Sequence, residues 1–317
     1  MVTAIKPGWS RPTAILFASE IPVNEKAFGF ALAEAAESGA ELILFHAYDS
    51  ADAPASAGTG KSNDFSSSQA ERQRLEPLAQ RAGRLGIHCK VVVRQGFAAE
   101  QILKFVREQR VDRVVIGTHT PGPVGKLLVG SVAEEVLRNS PVPVNIVGPE
   151  VIEGAYRHFS KRTILCSVGA QDSGRVVVGF AAELAARYNA SLILQHVIPP
   201  QDSAQALAER TLGQIEAELP SMVPPGLQHK VNVRTRAVLG DPTEELLYQG
   251  RSQHANLIVM GAQSVSRFAA ITRAGIVYKV LAYAQCPVIT LSPVVLSFCG
   301  ARCDQPRQSE LRLAGVF

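Results

Sequence analysis

The chain has 317 residues, of which 46% are hydrophobic and 19% charged, with a net charge of only +4. That length suits two domains of ordinary size, each able to bury its own core. The basic residues are scattered, which argues against a nucleic-acid partner, and five widely spaced cysteines do not make a disulfide framework.

Taken in order, Ala14–Ala18 is a short apolar run that reads as a first strand. Asn24 is placed to cap a helix with Phe28, Leu32, Ala35 and Ala36 on one face, and Gly39 ends it. Leu42–Ala47 reads as the second strand, and a Ser/Ala/Gly-rich stretch, Ser50–Ser68, follows it. Gln69–Gly83 has the helical pattern (Leu75, Leu78, Ala82), with Pro77 expected to kink it. Cys89–Val93 is the third strand, Ala98–Gln109 a helix with Ile102, Leu103 and Val106 inward, and Arg113–Ile116 the fourth strand. Ser131–Asn139 and Val142–Val147 complete this half as helix and strand. Asp112, Arg113 and Lys126 read as solvated charges.

The plan then returns as Thr163–Val168, Ser173–Tyr188, Ser191–Ile198, Gln201–Leu219, Val231–Val238, Thr243–Gln253, Leu257–Met260, Thr272–Ala284 and Val288–Leu291. Asp241-Pro242-Thr243-Glu244 is a clear helix start, with Asp as N-cap, Pro at the first helical position and Glu at the third. Val280–Ala301 carries no charge and has the length of a membrane span. Pro287 and Pro293 interrupt it, so it reads as buried core followed by a tail. Met1–Pro12 lacks the apolar segment of a secretion signal, and the expected setting is cytoplasmic.

The duplication shows by subtraction. Gly29-Phe30-Ala31 recurs as Gly179-Phe180-Ala181, an offset of 150, while Gly96, Gly117 and Pro143 recur as Gly240, Gly261 and Pro287, offset by 144. The expected domains are 11–150 and 160–293, with a tail over 294–317. Alternating strands and helices with short connections imply an α/β fold, here two tandem doubly wound, Rossmann-like domains, each with a five-stranded parallel sheet.

In such a sheet a ligand sits beyond the carboxyl ends of the strands, where strand order reverses. In the first half the candidate loops are Ala18-Ser19-Glu20 and Gly117–Gly130. Gly130-Ser131 opens a helix whose free amides and positive dipole end favour an anion, by about 0.3–1 kcal/mol for an exposed terminus. Ser131 adds a hydroxyl, Lys126 a full positive charge and His119 a donor. In the second half the corresponding pair is Ala274-Gly275, which removes part of that cradle.

The stretch Val114-Val-Ile-Gly117-Thr-His-Thr120, then Gly130-Ser131-Val132-Ala133 and Pro141-Val-Pro143-Val, resembles the universal stress protein family. So do Ile15-Leu16-Phe17-Ala18 and Leu42-Ile-Leu-Phe-His46-Ala47. The resemblance spans both halves and implies a tandem member with strand order 3-2-1-4-5 in each domain. One branch of the family binds ATP through glycine, two residues, glycine, nine residues, glycine and Ser or Thr. Gly117, Gly130 and Ser131 take the first, third and fourth places, while Thr120 departs from the second. The acid that the family carries after strand one falls on Glu20, and on Gly169 in the second half. Ala18, Ala47, Ile116 and Val132 would line the adenine.

The resemblance therefore implies a stress-response regulator holding ATP, with or without Mg2+, or AMP in the first half, the second half being structural. Two other readings stay open: a tandem interaction scaffold with no nucleotide, and a slow ATP hydrolase. The carboxylate pairs Glu134-Glu135 and Glu244-Glu245 occupy adjacent helix positions and make poor acid–base dyads. His46 and His196 recur at one strand end as satisfied structural residues, and Cys299 and Cys303 lack partners for a metal. A catalytic site is not expected. The partners expected are an adenine nucleotide and an unknown protein, with no membrane, and a homodimer stays open. The fifth strands, Val142–Val147 and Val288–Leu291, are expected to meet inside one chain.

Overall fold

A computed structural model of the chain describes residues 7–48, 62–118, 130–154, 162–169, 173–200, 211–262 and 275–301. The first half contains α1 (Pro7–Ser10), β1 (Ala14–Ala18), α2 (Glu25–Ser38), β2 (Glu41–Tyr48), α3 (Ser62–Arg84), β3 (Cys89–Gln95), α4 (Ala98–Glu108), β4 (Arg113–Gly117), α5 (Ser131–Asn139) and β5 (Val144–Val147). The second contains β6 (Thr163–Ser167), α6 (Ser173–Tyr188), β7 (Ser191–Ile198), α7 (Leu212–Glu218), β8 (Asn232–Leu239), α8 (Pro242–Ser252), β9 (Leu257–Gly261), α9 (Ile276–Tyr283), β10 (Val288–Leu291) and α10 (Pro293–Ala301). Of the stretch expected to be helical from Gln201, residues 201–210 lie outside the described ones, as do 272–274 ahead of α9.

The ten strands among the described residues form one sheet in the order β3-β2-β1-β4-β5-β10-β9-β6-β7-β8. Each half is parallel and has the order 3-2-1-4-5 counted from its outer edge. The halves join through β5 and β10, which run antiparallel with Asn145 opposite Ile289. This is the expected meeting of fifth strands, and it places a pseudo-twofold axis at the seam. Strand β5 begins later than the apolar pattern suggests. Pro143 has no amide hydrogen to give, and the Val142 amide is taken by the Ser140 hydroxyl at 3.2 Å.

One face of the sheet carries a core shared by both halves, including Phe105 and Leu137 from the first and Leu246 and Leu281 from the second. The other face has two separate cores, one under α2 and α3 and one under α6. Trp9 and the C-terminal Val295 and Leu296 join the core under α6. The start of the expected tail is therefore helical and docked. Ser292 caps it, accepting from the Val295 amide at 3.1 Å, while its own hydroxyl donates to the Ser140 carbonyl at 2.5 Å. Among the described residues no helix is long and apolar enough to cross a membrane.

The expected helix caps are in place. Asn24 accepts from the Ala27 amide, and Gly39 adopts the left-handed conformation (φ 68°) that closes α2. Asp241 accepts from the Thr243 and Glu244 amides at 2.8 and 3.0 Å, bonds that hold its carboxyl below the ordinary value of 3.8. Asp241→Ala should cost about 1 kcal/mol at neutral pH. Because the folded-state value is depressed, the wild-type advantage exists above the ordinary value and is lost as pH falls through the depressed one. Urea unfolding of both proteins at neutral pH and in acid checks this, and a gap of constant size would refute it.

Two sequence expectations are corrected here. Ala36 is exposed, while Glu34 is buried on α2 beside Phe30, Ala31 and Ala35. Asp112 and Arg113 are not solvated. Asp112 accepts the Thr13 amide at 2.9 Å and its hydroxyl at 2.8 Å, closing the start of β1. Arg113 is 0% exposed, paired to Glu34 at 2.6 Å and also donating to the Trp9 carbonyl. Both residues start a central strand, and for Arg113 the second half adds a cover, with the Phe180 ring centre 5.4 Å from its guanidinium carbon. Lys126 lies outside the described residues.

Candidate functional site

At the carboxyl ends of the first-half strands the structure gathers Ala18, Ala47, Ile116 and Val132 on the core of the shared sheet face. Register places Ala18 beside both Phe45 and Ile116, with Ala47 one step beyond. Ile116 is buried, whereas Ala18, Ala47 and Val132 are half-buried and pack against the same core. The result is a shelf of apolar side chains at the strand ends, with Val132 of the first turn of α5 packed against the same core. Alternation along each strand explains it: residues two apart share a face, so Ala18 and Ala47 extend the rows begun by Leu16 and Phe45.

Gly130 is the N-cap of α5, with φ −56° and ψ 153°, and a Cβ built on it meets no atom of the described residues within 4 Å. Any L-residue could adopt that backbone, and α5 receives no side-chain cap bond from this position. Helix geometry leaves the first amides of α5 without intrahelical acceptors. Ser131 is exposed beside them, and Glu134 in the same turn is drawn away into an ion pair with Arg138 at 2.9 Å. Thr120 and His119 lie outside the described residues.

Gly117 has a different reason from the one its spacing suggests. It does not take a left-handed turn, and a Cβ there would lie 2.5 Å from Nδ2 of Asn24. Asn24 caps α2 through its oxygen and donates from Nδ2 to the Thr118 carbonyl at 3.2 Å. One side chain thus ties the start of α2 to the loop after β4, a bridge that the capping pattern alone did not reveal. Gly117→Ala should push Asn24 off both bonds and cost about 1–2 kcal/mol, the scale of a lost cap. The same change made in Asn24→Ala should cost much less, and equal costs in both backgrounds would sink this explanation.

Glu20 is half-buried in the bend after β1. Its neighbour Ser19 donates its amide to the Phe45 carbonyl at 2.8 Å, and the Ser19 carbonyl accepts from Nδ1 of His46 at 2.9 Å. On its other side the imidazole faces the Glu71 carboxylate, 3.6 Å away. His196 repeats the first bond, to the Val168 carbonyl at 2.9 Å. In both halves the histidine pins the loop after the innermost strand. That structural role was expected, but the partner Glu71 was not legible, since nothing local in α3 marks it.

The second half is bulkier at the matching places. By sheet register Ala47 corresponds to Val197 and Ile116 to Met260, and Val132 corresponds by offset to Ile276. The acid after strand one is replaced by Gly169, and Leu296 of α10 lies 3.4 Å from a Cβ placed on Gly261.

Residues 13–148 and 161–292 each match the universal stress protein family. A universal stress protein from Thermus aquaticus is 31% identical over 125 residues, 39% of this chain and 88% of that protein. One from Mycobacterium tuberculosis is 26% identical over 226 residues, 68% of this chain and 71% of its own length. Among solved structures, a universal stress protein from Archaeoglobus fulgidus superimposes with a TM-score of 0.68 at 18% identity, covering 90% of this chain and 97% of that one. The two matched segments, with the strand order above, establish that the chain belongs to the universal stress protein family as a tandem member.

Proposed function

We propose that the chain is a stress-response regulator whose first half holds an adenine nucleotide, ATP or AMP, while the second half is structural. The observation that carries this reading is Gly130. Among the described residues no neighbour requires glycine there, nor does its dihedral angle, yet the position opens an uncapped helix beside a shelf of small side chains. A ligand that must approach the backbone closely supplies the missing reason. Ala18, Ala47, Ile116 and Val132 would take the apolar base. Gly117, Gly130 and Ser131 would flank the phosphates, with Glu20 near the ribose and Thr120 in the intervening loop. Mg2+ would accompany ATP by neutralising its phosphates.

Hydrolysis is expected to be slow at most. Glu20 and His119 are the acid–base candidates that the sequence offers near the loop. Calorimetric titration of the full chain with ATP and with AMP tests the proposal. Micromolar-range binding of either supports it, and no heat at millimolar ATP favours a nucleotide-free scaffold instead. Rapid turnover lost in Glu20→Gln would favour an ATP hydrolase.

A further inference from the structure

The outer part of the shared sheet face differs between the halves in a coordinated way. In the first half Ile43 and Phe45 of β2 lie beside Lys90 and Val92 of β3, and Phe45 packs on Phe105 of α4 with ring centres 5.2 Å apart. Register sets the second-half counterparts at Ile193 and Gln195 of β7 and Arg234 and Arg236 of β8. Phe105 corresponds by offset to Gln249 of α8. Three apolar side chains, Phe45, Val92 and Phe105, have thus become Gln195, Arg236 and Gln249.

The exchange leaves an open pocket of about 380 Å³, lined by Ile193, Arg234, Arg236, Gln249, Gln253 and Glu216 among others. Gln195 lies beside it in the β7 row and is 1% exposed. Its amide nitrogen donates to the Glu245 carbonyl at 3.2 Å, but its Oε1 has no partner. Gln249 is 6% exposed. Replacing a packed ring pair by buried amides loses core contacts and leaves polar groups to satisfy, so folding by itself gives no reason for it. Gln253 accepts from Arg234 at 3.0 Å, which steadies that guanidinium, and one oxygen of Glu216 accepts from the Ala237 amide at 3.2 Å. What the pocket presents is two guanidiniums, a set of amides and the Glu216 carboxylate, a lining that is net positive. Its volume lies in the range of small-ligand sites.

We propose that this pocket is an oxyanion site in the second half, taking a small metabolite that carries a phosphate or carboxylate together with hydroxyl groups. The guanidiniums match the planar or tetrahedral oxyanion through paired N–H donors, and the glutamine amides serve hydroxyls as donor or acceptor. It is separate from the proposed nucleotide corner, which lies in the first half.

The test uses the full chain with three probes, inorganic phosphate, ribose 5-phosphate and citrate, against sodium chloride of equal ionic strength. Thermal unfolding should rise by a few degrees with at least one probe at millimolar concentration, and titration calorimetry should show saturable binding. Ribose 5-phosphate binding more tightly than phosphate marks a phosphorylated ligand, and citrate binding most tightly marks a carboxylated one. Arg236→Val/Gln249→Phe restores first-half residues; it should fold and lose the response. Should that protein fail to fold, Arg234→Ala at the exposed rim decides, with an expected weakening of about tenfold. Gly130→Asp should keep the response. The proposal fails if no probe exceeds chloride, if the response survives in the folded double variant, if Arg234→Ala leaves affinity unchanged, or if Gly130→Asp abolishes the response.

Discussion

Glu34→Leu alone is expected to destabilise the protein by about 3–5 kcal/mol, because it strands the Arg113 guanidinium in the interior. Exchanging Glu34, Arg113 and Asn145 together for Leu, Leu and Ile should be neutral or stabilising, by up to about 4 kcal/mol. The second half motivates the exchange. Its equivalent positions are Leu184, Leu257 and Ile289, all buried in an ordinary apolar core. In the first half the same places hold a buried polar network: Arg113 bonds Glu34 at 2.6 Å, Asn145 donates to the other Glu34 oxygen, and the Trp9 carbonyl takes a second guanidinium hydrogen, while Nε of Arg113 and Oδ1 of Asn145 stay unpartnered. Arg162 from the second half pairs with Glu37 at 2.5 Å one turn away. Since Asn145 faces Ile289 across the axis, pairing of two first halves would bring Asn145 against Asn145 and bury this network twice. Polar against apolar at the seam therefore favours the pairing seen within the chain.

The pH dependence separates the two variants further. Burial pushes the Glu34 carboxyl above its ordinary value of 4.5, with Arg113 pulling the other way. A raised value means that its contribution is fully present below 4.5 and is lost as pH rises through the folded-state value. Glu37, also raised by burial, stays in both proteins, but the variant removes the upward push it receives from Glu34, which shifts the comparison in the same direction. Denaturant midpoints of wild type and triple variant should therefore diverge in the variant's favour as pH increases from 4.5. Parallel curves, or a triple variant as unstable as Glu34→Leu, would show that the network does not work this way.

Gly130→Asp should reduce adenine-nucleotide affinity by about a thousandfold while leaving the fold intact or slightly more stable. A carboxylate about 4 Å from a phosphate charge costs about 4 kcal/mol at an effective dielectric near 20, which converts to roughly three decades. Among the described residues nothing clashes with a side chain at Gly130, and its φ and ψ suit any L-residue. Aspartate is also a better N-cap than glycine, by a few tenths of a kcal/mol. A helix that would gain from aspartate yet carries glycine is the pattern expected where a bound anion does the capping. Calorimetry on the variant and the parent decides the matter, and unchanged affinity in a folded variant would remove the nucleotide from this corner.

Strand and helix identities were legible because they rest on local periodicity and on caps such as Asn24 and Asp241, whose partners lie within three residues. The duplication, and with it the tandem fold, needed only subtraction of residue numbers. The shelf formed by Ala18, Ala47, Ile116 and Val132 was reached through family resemblance, since nothing local brings three strand ends and a helix start together. Gly117 was recognised as special, but its neighbour Asn24 lies 93 positions away in the chain, beyond the reach of any local pattern. Arg113 was misread as solvated for the same cause: its surroundings are α2, α1 and a ring from the second half.

What the order of amino acids determined by itself was the set of elements, their twofold repetition and the family to which they belong, because hydrogen-bonded elements and their ends depend on neighbours a few residues apart. Only the tertiary structure decided which charges are buried, where the halves differ across the seam and along the outer strands, and why particular glycines are needed. Burial and close approach are set by surfaces that distant segments bring together, and a charge that is cheap in water becomes costly only once another half of the chain has covered it.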